Sequence, residues 1–272
     1  MRIDLHIHTT ASDGTWTPAE LIDQAQRCGL GAIAITDHDS VSNVVEAERL
    51  ATAAGIKYIR GSELNSTKAG LNFHVLGYGI DIENKKLQEL MVYNVKLLED
   101  VDIASIALLE KEGLAVSTTE FAAYDYDHRR GGWRALAYLI DKGLCTGVND
   151  FFQRIFTKEH ELGFPEFPSI AEVVDVIHEA GGLALCAHAA SGFHGPGLDN
   201  VLDLLKDEKF DGFECFHSCH TAEDTQRLLQ HCHEHKLYIS GGSDCHGTFV
   251  PGRFLGEPQV DSSQILLPLL DK

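Results

Sequence analysis

The 272-residue sequence predicts an α/β fold, a parallel sheet or barrel walled by helices and interrupted by a helical insert, on three observations. Short apolar strands alternate with amphipathic helices through the first third of the chain. His, Asp and Glu recur where those strands run out, the edge of an α/β barrel at which function is expected. The alternation then stops, and a long helical pattern divides a barrel of residues 1–83 and 166–272 from a helical cap at 84–165.

Residues 2–8, Arg-Ile-Asp-Leu-His-Ile-His, alternate with the two-residue period of a strand, so His6 and His8 point to one side and Ile7 to the other. Two neutral imidazoles side by side suit a borderline cation such as Zn²⁺, Mn²⁺ or Fe²⁺, and Asp13 offers an oxygen ligand in the loop that follows. By itself the pair reads equally as two solvated histidines at a strand end. Thr17 is an N-cap before Pro18 at the first helical position, and the helix over 19–28 stops at Gly29. A strand over 31–36, a helix over 41–54 ended by Gly55, and strands over 56–60 and 73–78 follow. Thr36-Asp-His38-Asp39 closes the second strand, Gly61-Ser-Glu63 the third, and His74 lies early in the fourth.

In the insert, Leu87, Leu90, Val95, Leu98, Val101 and Ile106 recur at helical spacing until Gly113. A polar loop over 124–133 and a short helix come next. Arg129, Arg130 and Arg134 form a close arginine group whose guanidinium forks suit a phosphate. Solvation, or pairing with Asp125 and Asp127, is the competing explanation for each of them.

Beyond the insert, Ser169 caps a helix over 170–179 that stops at Gly181-Gly182, and a strand over 183–187 delivers His188. Strands over 211–216 and 237–240 lead to His217 and to Gly241-Gly-Ser-Asp244-Cys-His246. Ligand-type residues at one strand end after another overturn the solvated-histidine explanation of His6 and His8. Cys215, Cys219, His231 and His235 approach zinc-finger spacing, but Cys215 falls in an apolar strand, 221–236 reads as one helix, and no basic surface accompanies them.

Composition limits the function. Lys and Arg number 22 against 41 Asp and Glu, a net charge of −19; such a surface repels long nucleic acid and leaves small anions held by metals as the expected partners. No run of about 18 apolar residues marks a membrane span, and no leader precedes the first strand, so a cytoplasmic protein is expected. Seven scattered cysteines are expected to be reduced thiols.

Taken together, His6-x-His8 with Asp13, Thr36-Asp-His38, Gly61-Ser-Glu63, His74 in His-Val-Leu-Gly-Tyr, Ala187-His188 and Gly242-Ser-Asp-Cys-His246 resemble the successive motifs of the PHP (polymerase and histidinol phosphatase) family along nearly the whole chain. The resemblance implies a distorted (β/α)7 barrel with two or three divalent metals, Mn, Zn or Fe, that hydrolyses phosphate esters. Carried over motif by motif, His6, His8, Glu63 and Asp244 would hold the first metal; Glu63 would bridge to a second with His74 and His188; Asp13, His38 and His246 would hold a third. Where the small-phosphoesterase branch has Gly-Arg-Pro-His in the insert, this chain reads Arg130-Gly-Gly-Trp-Arg134, so Arg130 and Arg134 are the candidate substrate-binding residues. Ala189 replaces the proline usual after the fifth motif's histidine.

Clustered divalent cations lower the pKa of a bound water towards about 7, and water then attacks phosphorus. His217 is the candidate general acid for the leaving alkoxide, with a supporting or surface histidine as the competing explanation. The expected activity is hydrolysis of a monoester, or a cyclic or small phosphodiester, of a small metabolite or mononucleotide. The alternatives are a histidinol-phosphate phosphatase and a non-catalytic PHP module that binds metal or nucleotide; nine competent ligands speak against the latter.

Overall fold

Strand β1 (Arg2–Ile7) pairs in parallel with β2 (Ala32–Ile35), and β2 with β3 (Lys57–Lys68), in a computed structural model that describes residues 1–160, 162–195 and 197–271. The connecting helices are α1 (Pro18–Arg27) and α2 (Val44–Ala53). A capping box between Thr17 and Glu20, with Pro18 in the first turn, starts α1, which buries Leu21, Ile22 and Ala25 against the sheet. All four residues of β2 are buried, as a parallel strand covered on both faces requires.

The parallel rhythm breaks at β3. Residues 61–68, Gly-Ser-Glu-Leu-Asn-Ser-Thr-Lys, carry too few apolar side chains to read as a strand, yet they extend β3 to a turn at Ala69-Gly70 and pair antiparallel with β4 (Leu71–Tyr78). Glu63 opposes Leu76 and Asn65 opposes His74. Glu63 and His74 therefore lie inside strands rather than at strand ends. Polar side chains facing the site, not an apolar core, are what hid this hairpin from a periodicity reading.

β5 (Leu183–Cys186) pairs antiparallel with β4 and parallel with β6 (Gly212–Phe216), and β6 pairs parallel with β7 (Tyr238–Gly241). The short β8 (Val260–Asp261) flanks β1, giving the order β7-β6-β5-β4-β3-β2-β1-β8. The sheet then nearly closes on itself: Asp244 N–H donates to the His6 carbonyl at 2.8 Å and His8 N–H to the Cys245 carbonyl at 2.9 Å. Gly242 permits this closure, because a Cβ there would stand 2.4 Å from the His6 nitrogen. The result is a mixed α/β, distorted barrel.

The 27-residue α3 (Lys85–Lys111) serves two cores. Its Leu87 and Met91 join the barrel cluster, whereas Ile106 and Leu109 pack with Phe121, Leu136, Tyr138 and Phe151 in a second cluster. That second cluster gathers α4 (Thr118–Ala122), α5 (Arg134–Asp141) and the single turn α6 (Val148–Asp150). Helices α7 (Ile170–Glu179), α8 (Leu198–Leu205) and α9 (Ala222–His235) complete the barrel. Cys215 in β6 lies 3.7 Å, sulfur to sulfur, from Cys232 in α9, both buried, so these thiols fill core space. Among the described residues no helix is long and apolar enough to cross a membrane.

Candidate metal centre

Glu63, buried in the middle of β3, is the residue on which the site converges. Its Oε2 lies 3.1 Å from His6 Nε2, 3.2 Å from His8 Nε2 and 3.3 Å from His38 Nδ1. Its Oε1 lies 3.0 Å from both His74 Nδ1 and His188 Nε2. Asp244 Oδ1 stands 3.0 Å from His8 Nε2 and 3.5 Å from His6 Nε2. Beside them His246 Nε2 meets Asp13 Oδ2 at 3.2 Å, and Asp13 Oδ1 lies 3.6 Å from His8 Nδ1. The fold thus brings eight of the nine candidate ligands together in overlapping groups: His6, His8, Glu63 and Asp244; His38, Glu63 and His74; His8, Asp13, His38 and His246; the ninth, His188, joins them through its contact with Glu63.

Hydrogen bonds on the outer side of the rings assign the nitrogen that faces inward. His194 donates Nδ1–H to the Asn72 carbonyl at 2.8 Å, so its Nε2 accepts from His188 Nδ1 at 3.2 Å, and His188 turns its Nε2 lone pair to Glu63. His246 donates Nδ1–H to the Asp244 carbonyl at 2.8 Å and turns its Nε2 lone pair to Asp13. His6 donates Nδ1–H to Glu214 Oε1 at 2.9 Å and turns Nε2 to Glu63. A lone pair held against a carboxylate is repulsive unless a cation or a second proton stands between them. Both ring nitrogens of His8, and Nδ1 of His38, are buried with no hydrogen-bond partner. Imidazole and carboxylate donors in this arrangement fit manganese, iron or zinc.

The crowding also sets protonation. Burial works against a charged His6, yet Glu63, Glu214 and Asp244 hold its pKa well above the usual value. For His8, burial is again outweighed, by Asp244, Glu63 and Asp13, and the pKa rises to about 10. Burial prevails at His188, which is pushed well down, and at His38, which falls to about 3. Without a cation, His6 and His8 therefore carry protons at neutral pH that an incoming metal has to displace.

The supporting residues went unseen in the sequence. Glu214, buried in β6, binds His6 and also accepts the His188 backbone N–H at 2.8 Å, holding His188 and its φ of 27° in place. A lone carboxylate within the apolar run Gly-Phe-Glu-Cys-Phe was the signal, since a buried charge demands a partner. His194 had no such signal in its loop. Asn94, on α3, donates to Asp39 Oδ1 at 2.7 Å and to the Asn65 carbonyl at 3.0 Å, while Asn65 Nδ2 donates to Asp39 Oδ2 at 2.6 Å. This network ties α3 to the residue that follows His38.

Of the remaining candidates, His217 borders the converging group, close to His6 and Glu214, and the arginines lie outside it. His217 accepts the Cys219 backbone N–H at Nδ1 and directs Nε2–H to Asp244 Oδ2 at 3.2 Å. Arg130 makes a two-pronged pair with Asp141, at 2.6 and 2.9 Å, and donates to Tyr124 Oη; its partner is Asp141, not Asp125 or Asp127. Arg134 donates to the carbonyls of Phe121, Ala122 and Tyr124 and stacks over the Phe121 ring. Arg129 pairs with Glu20 at 2.7 Å and so links this loop to α1. The loop backbone does reach the site: Gly132 N–H donates to the Asp13 carbonyl at 2.7 Å. Glycine is needed at 131 and 132 because both have positive φ and any Cβ would strike Phe249.

Comparison with known proteins agrees with this geometry. A family model described as PHP domain matches residues 4–250. A "5'-3' exoribonuclease" from Haemophilus influenzae is 30% identical over 259 residues, 90% of each chain. A "3',5'-nucleoside bisphosphate phosphatase" from Chromobacterium violaceum is 27% identical over 281 residues, 94% of this chain and 91% of the relative. Among solved structures, a candidate metal-dependent phosphoesterase from Bifidobacterium adolescentis superposes with a TM-score of 0.82 at 27% identity, covering 96% of this chain and 93% of that one.

Proposed function

The chain belongs to the PHP domain family and is a metal-dependent phosphoesterase, and from that premise we propose that it hydrolyses a phosphate ester of a small metabolite or mononucleotide, either a monoester or a cyclic or small phosphodiester. The observation that carries the reading is the ring of imidazole lone pairs and carboxylates closing on Glu63. His6, His8, Glu63 and Asp244 would hold one cation, Glu63 with His74 and His188 a second, and Asp13, His38 and His246 a third. Divalent manganese, zinc or iron bound there supplies a nucleophilic water at neutral pH and draws charge from the phosphoryl oxygens.

The chain's own residues do the positioning. Glu214 and His194 fix the tautomers of His6 and His188. His217, with Nε2–H directed at Asp244 Oδ2, holds that carboxylate so that Oδ1 faces His6 and His8. The cap loop, seated on the Asp13 carbonyl, borders a cleft of about 580 Å³ lined by Arg130, Leu136, Asn149, Gln153 and Phe249. A cleft of that size accepts a metabolite or a single nucleotide.

A second reading, degradation of RNA from its 5′ end, is favoured by the name of the Haemophilus influenzae relative. The net charge of −19 argues for the smaller substrate. Metal-stripped protein reloaded separately with manganese, zinc and iron, and assayed on phosphomonoesters, cyclic phosphodiesters and nucleoside 3′,5′-bisphosphates, tests the proposal. Turnover is expected with at least one metal and is abolished by chelator; turnover that survives metal removal contradicts it.

A further inference from the structure

We propose that Arg253, in the loop between β7 and β8, is the residue that grips the phosphoryl group during hydrolysis. The inference deepens the phosphoesterase reading and rests on it. Arg253 Nη1 contacts Asp244 Oδ2, while Asp244 Oδ1 faces His6 and His8. A guanidinium therefore stands directly behind one of the carboxylates of the converging group. Its side chain is only 26% exposed, so the contact is not that of a freely solvated surface arginine.

Arg253 differs from the arginines of the insert and from Arg2 and Arg60 in keeping donors free beside the candidate ligands. Arg130 is closed on Asp141, Arg134 on three backbone carbonyls and Arg129 on Glu20. Arg2 donates to the Cys28 and Gly256 carbonyls, and Arg60 is forked on Glu48. Arg253 spends one donor on Asp244, and its Nε and Nη2 make no hydrogen bond among the described residues while remaining open to solvent. A planar fork with two free donors matches two non-bridging oxygens of a phosphate.

Its loop reinforces the assignment. Thr248, Phe249 and Pro251, from the same loop, line the cleft beneath the cap. None of the nine candidate ligands lines that cleft, but Arg253 follows Pro251 by two residues in the loop that does, which links the cleft to Asp244. Charge on the phosphoryl oxygens grows in the transition state, and a preplaced guanidinium lowers its energy without moving far. The Asp244 carboxylate keeps the His217 Nε2–H as a partner when Arg253 turns to the phosphate.

The test uses manganese-loaded wild type, Arg253→Ala, Arg253→Gln and Arg253→Lys, with inorganic phosphate as the probe. Phosphate affinity is read by calorimetry, metal content by elemental analysis, and kcat and KM on the best phosphoester. Expected for Arg253→Ala and Arg253→Gln are unchanged or tighter metal binding, phosphate bound at least about tenfold more weakly, and kcat/KM lower by about 10²–10³; Arg253→Lys restores part of both. Phosphate affinity equal to wild type overturns the proposal. So does loss of metal in both Ala and Gln variants, which would make Arg253 a prop for Asp244. A protein that turns over no phosphoester would count against the reaction, while the phosphate titration would still decide Arg253.

Discussion

The rings of His188 and His194 lie edge to edge in nearly one plane, centroids 5.3 Å apart and planes 8° from parallel, and the Nδ1–H of His188 points at Nε2 of His194 across 3.2 Å. Because the Asn72 carbonyl takes the other proton of this pair, His188 is left with its Nε2 lone pair facing Glu63. His194→Phe keeps the stacking of residue 194 on Phe73, whose ring centroid lies 4.6 Å away, and removes the acceptor. It is expected to weaken binding of the metal held by His188 about 10- to 100-fold, the usual cost of losing such an outer partner. Competition with a chromophoric chelator measures this, and wild-type affinity in the variant would show that the tautomer needs no fixing.

Metal loading should release protons. His8 has a pKa of about 10 in the metal-free protein and His6 is also held high, so both are protonated at pH 7.5 and must lose a proton to bind. The enthalpy of manganese binding, measured in buffers of different ionisation heat, is expected to vary with the buffer in the direction of proton release; a buffer-independent enthalpy contradicts this. The same shift governs metal-free stability. A histidine whose folded pKa exceeds its unfolded value of about 6.5 stabilises fully below that value and loses the contribution as pH rises towards the folded pKa. The Tm of the stripped protein should therefore fall between pH 7 and 10, whereas that of the loaded protein should hold.

These proton effects arise at residues the sequence announced, and the contrast with what it concealed is physical. Strand alternation around His6 and His8 is legible because backbone geometry alone sets where their side chains point, whereas the Gly-Ser-Asp-Cys-His run lies in the loop after β7, with Asp244 at a φ of 55° and tied to the His6 carbonyl, and was legible only through the resemblance of its motif. Residues 73–78 read as a strand, but the extension of β3 over 61–68 and its antiparallel pairing were hidden because that segment turns Glu63 and Asn65 inward beside His74 instead of apolar side chains. His194 and Asn94 act through contacts with residues distant in sequence, so no local spacing could expose them, whereas Glu214 stood out only as a lone carboxylate in an apolar strand. Arg130 and Arg134 illustrate the converse: their clustering was plain, but their partners Asp141 and the Phe121, Ala122 and Tyr124 carbonyls are set by the packing of α4 and α5.

Asn94 fastens α3 to the barrel beside His38, being fully buried and donating to both Asp39 and Asn65. Asn94→Leu leaves the buried Asp39 carboxylate short of a donor and is expected to destabilise the protein by about 1–3 kcal/mol. Urea unfolding of the metal-free protein measures it. A midpoint equal to wild type would mean that α3 is held by Leu87 and Met91 alone.

The two cap arginines should separate. Arg130 lines the cleft, so Arg130→Ala is expected to raise KM several-fold with metal content intact, by loss of uniform binding. Arg134 is spent on backbone carbonyls, so Arg134→Ala is expected to loosen the packing of α4 and its following loop on α5 and lower Tm at unchanged metal content. Steady-state kinetics beside thermal melts of each variant distinguish them, and identical behaviour would dissolve the distinction.

Substrate size is the claim on which the functional account turns. The direct measurement is kcat/KM of the manganese-loaded protein on nucleoside 3′,5′-bisphosphates, cyclic phosphodiesters and sugar phosphates, set against 5′-phosphorylated single-stranded RNA and duplex DNA at one ionic strength. At least one small ester is expected to exceed both polymers, because a surface at −19 repels them and the cap loop sits on Asp13. A value on RNA or DNA equal to or above that on every small ester would contradict it.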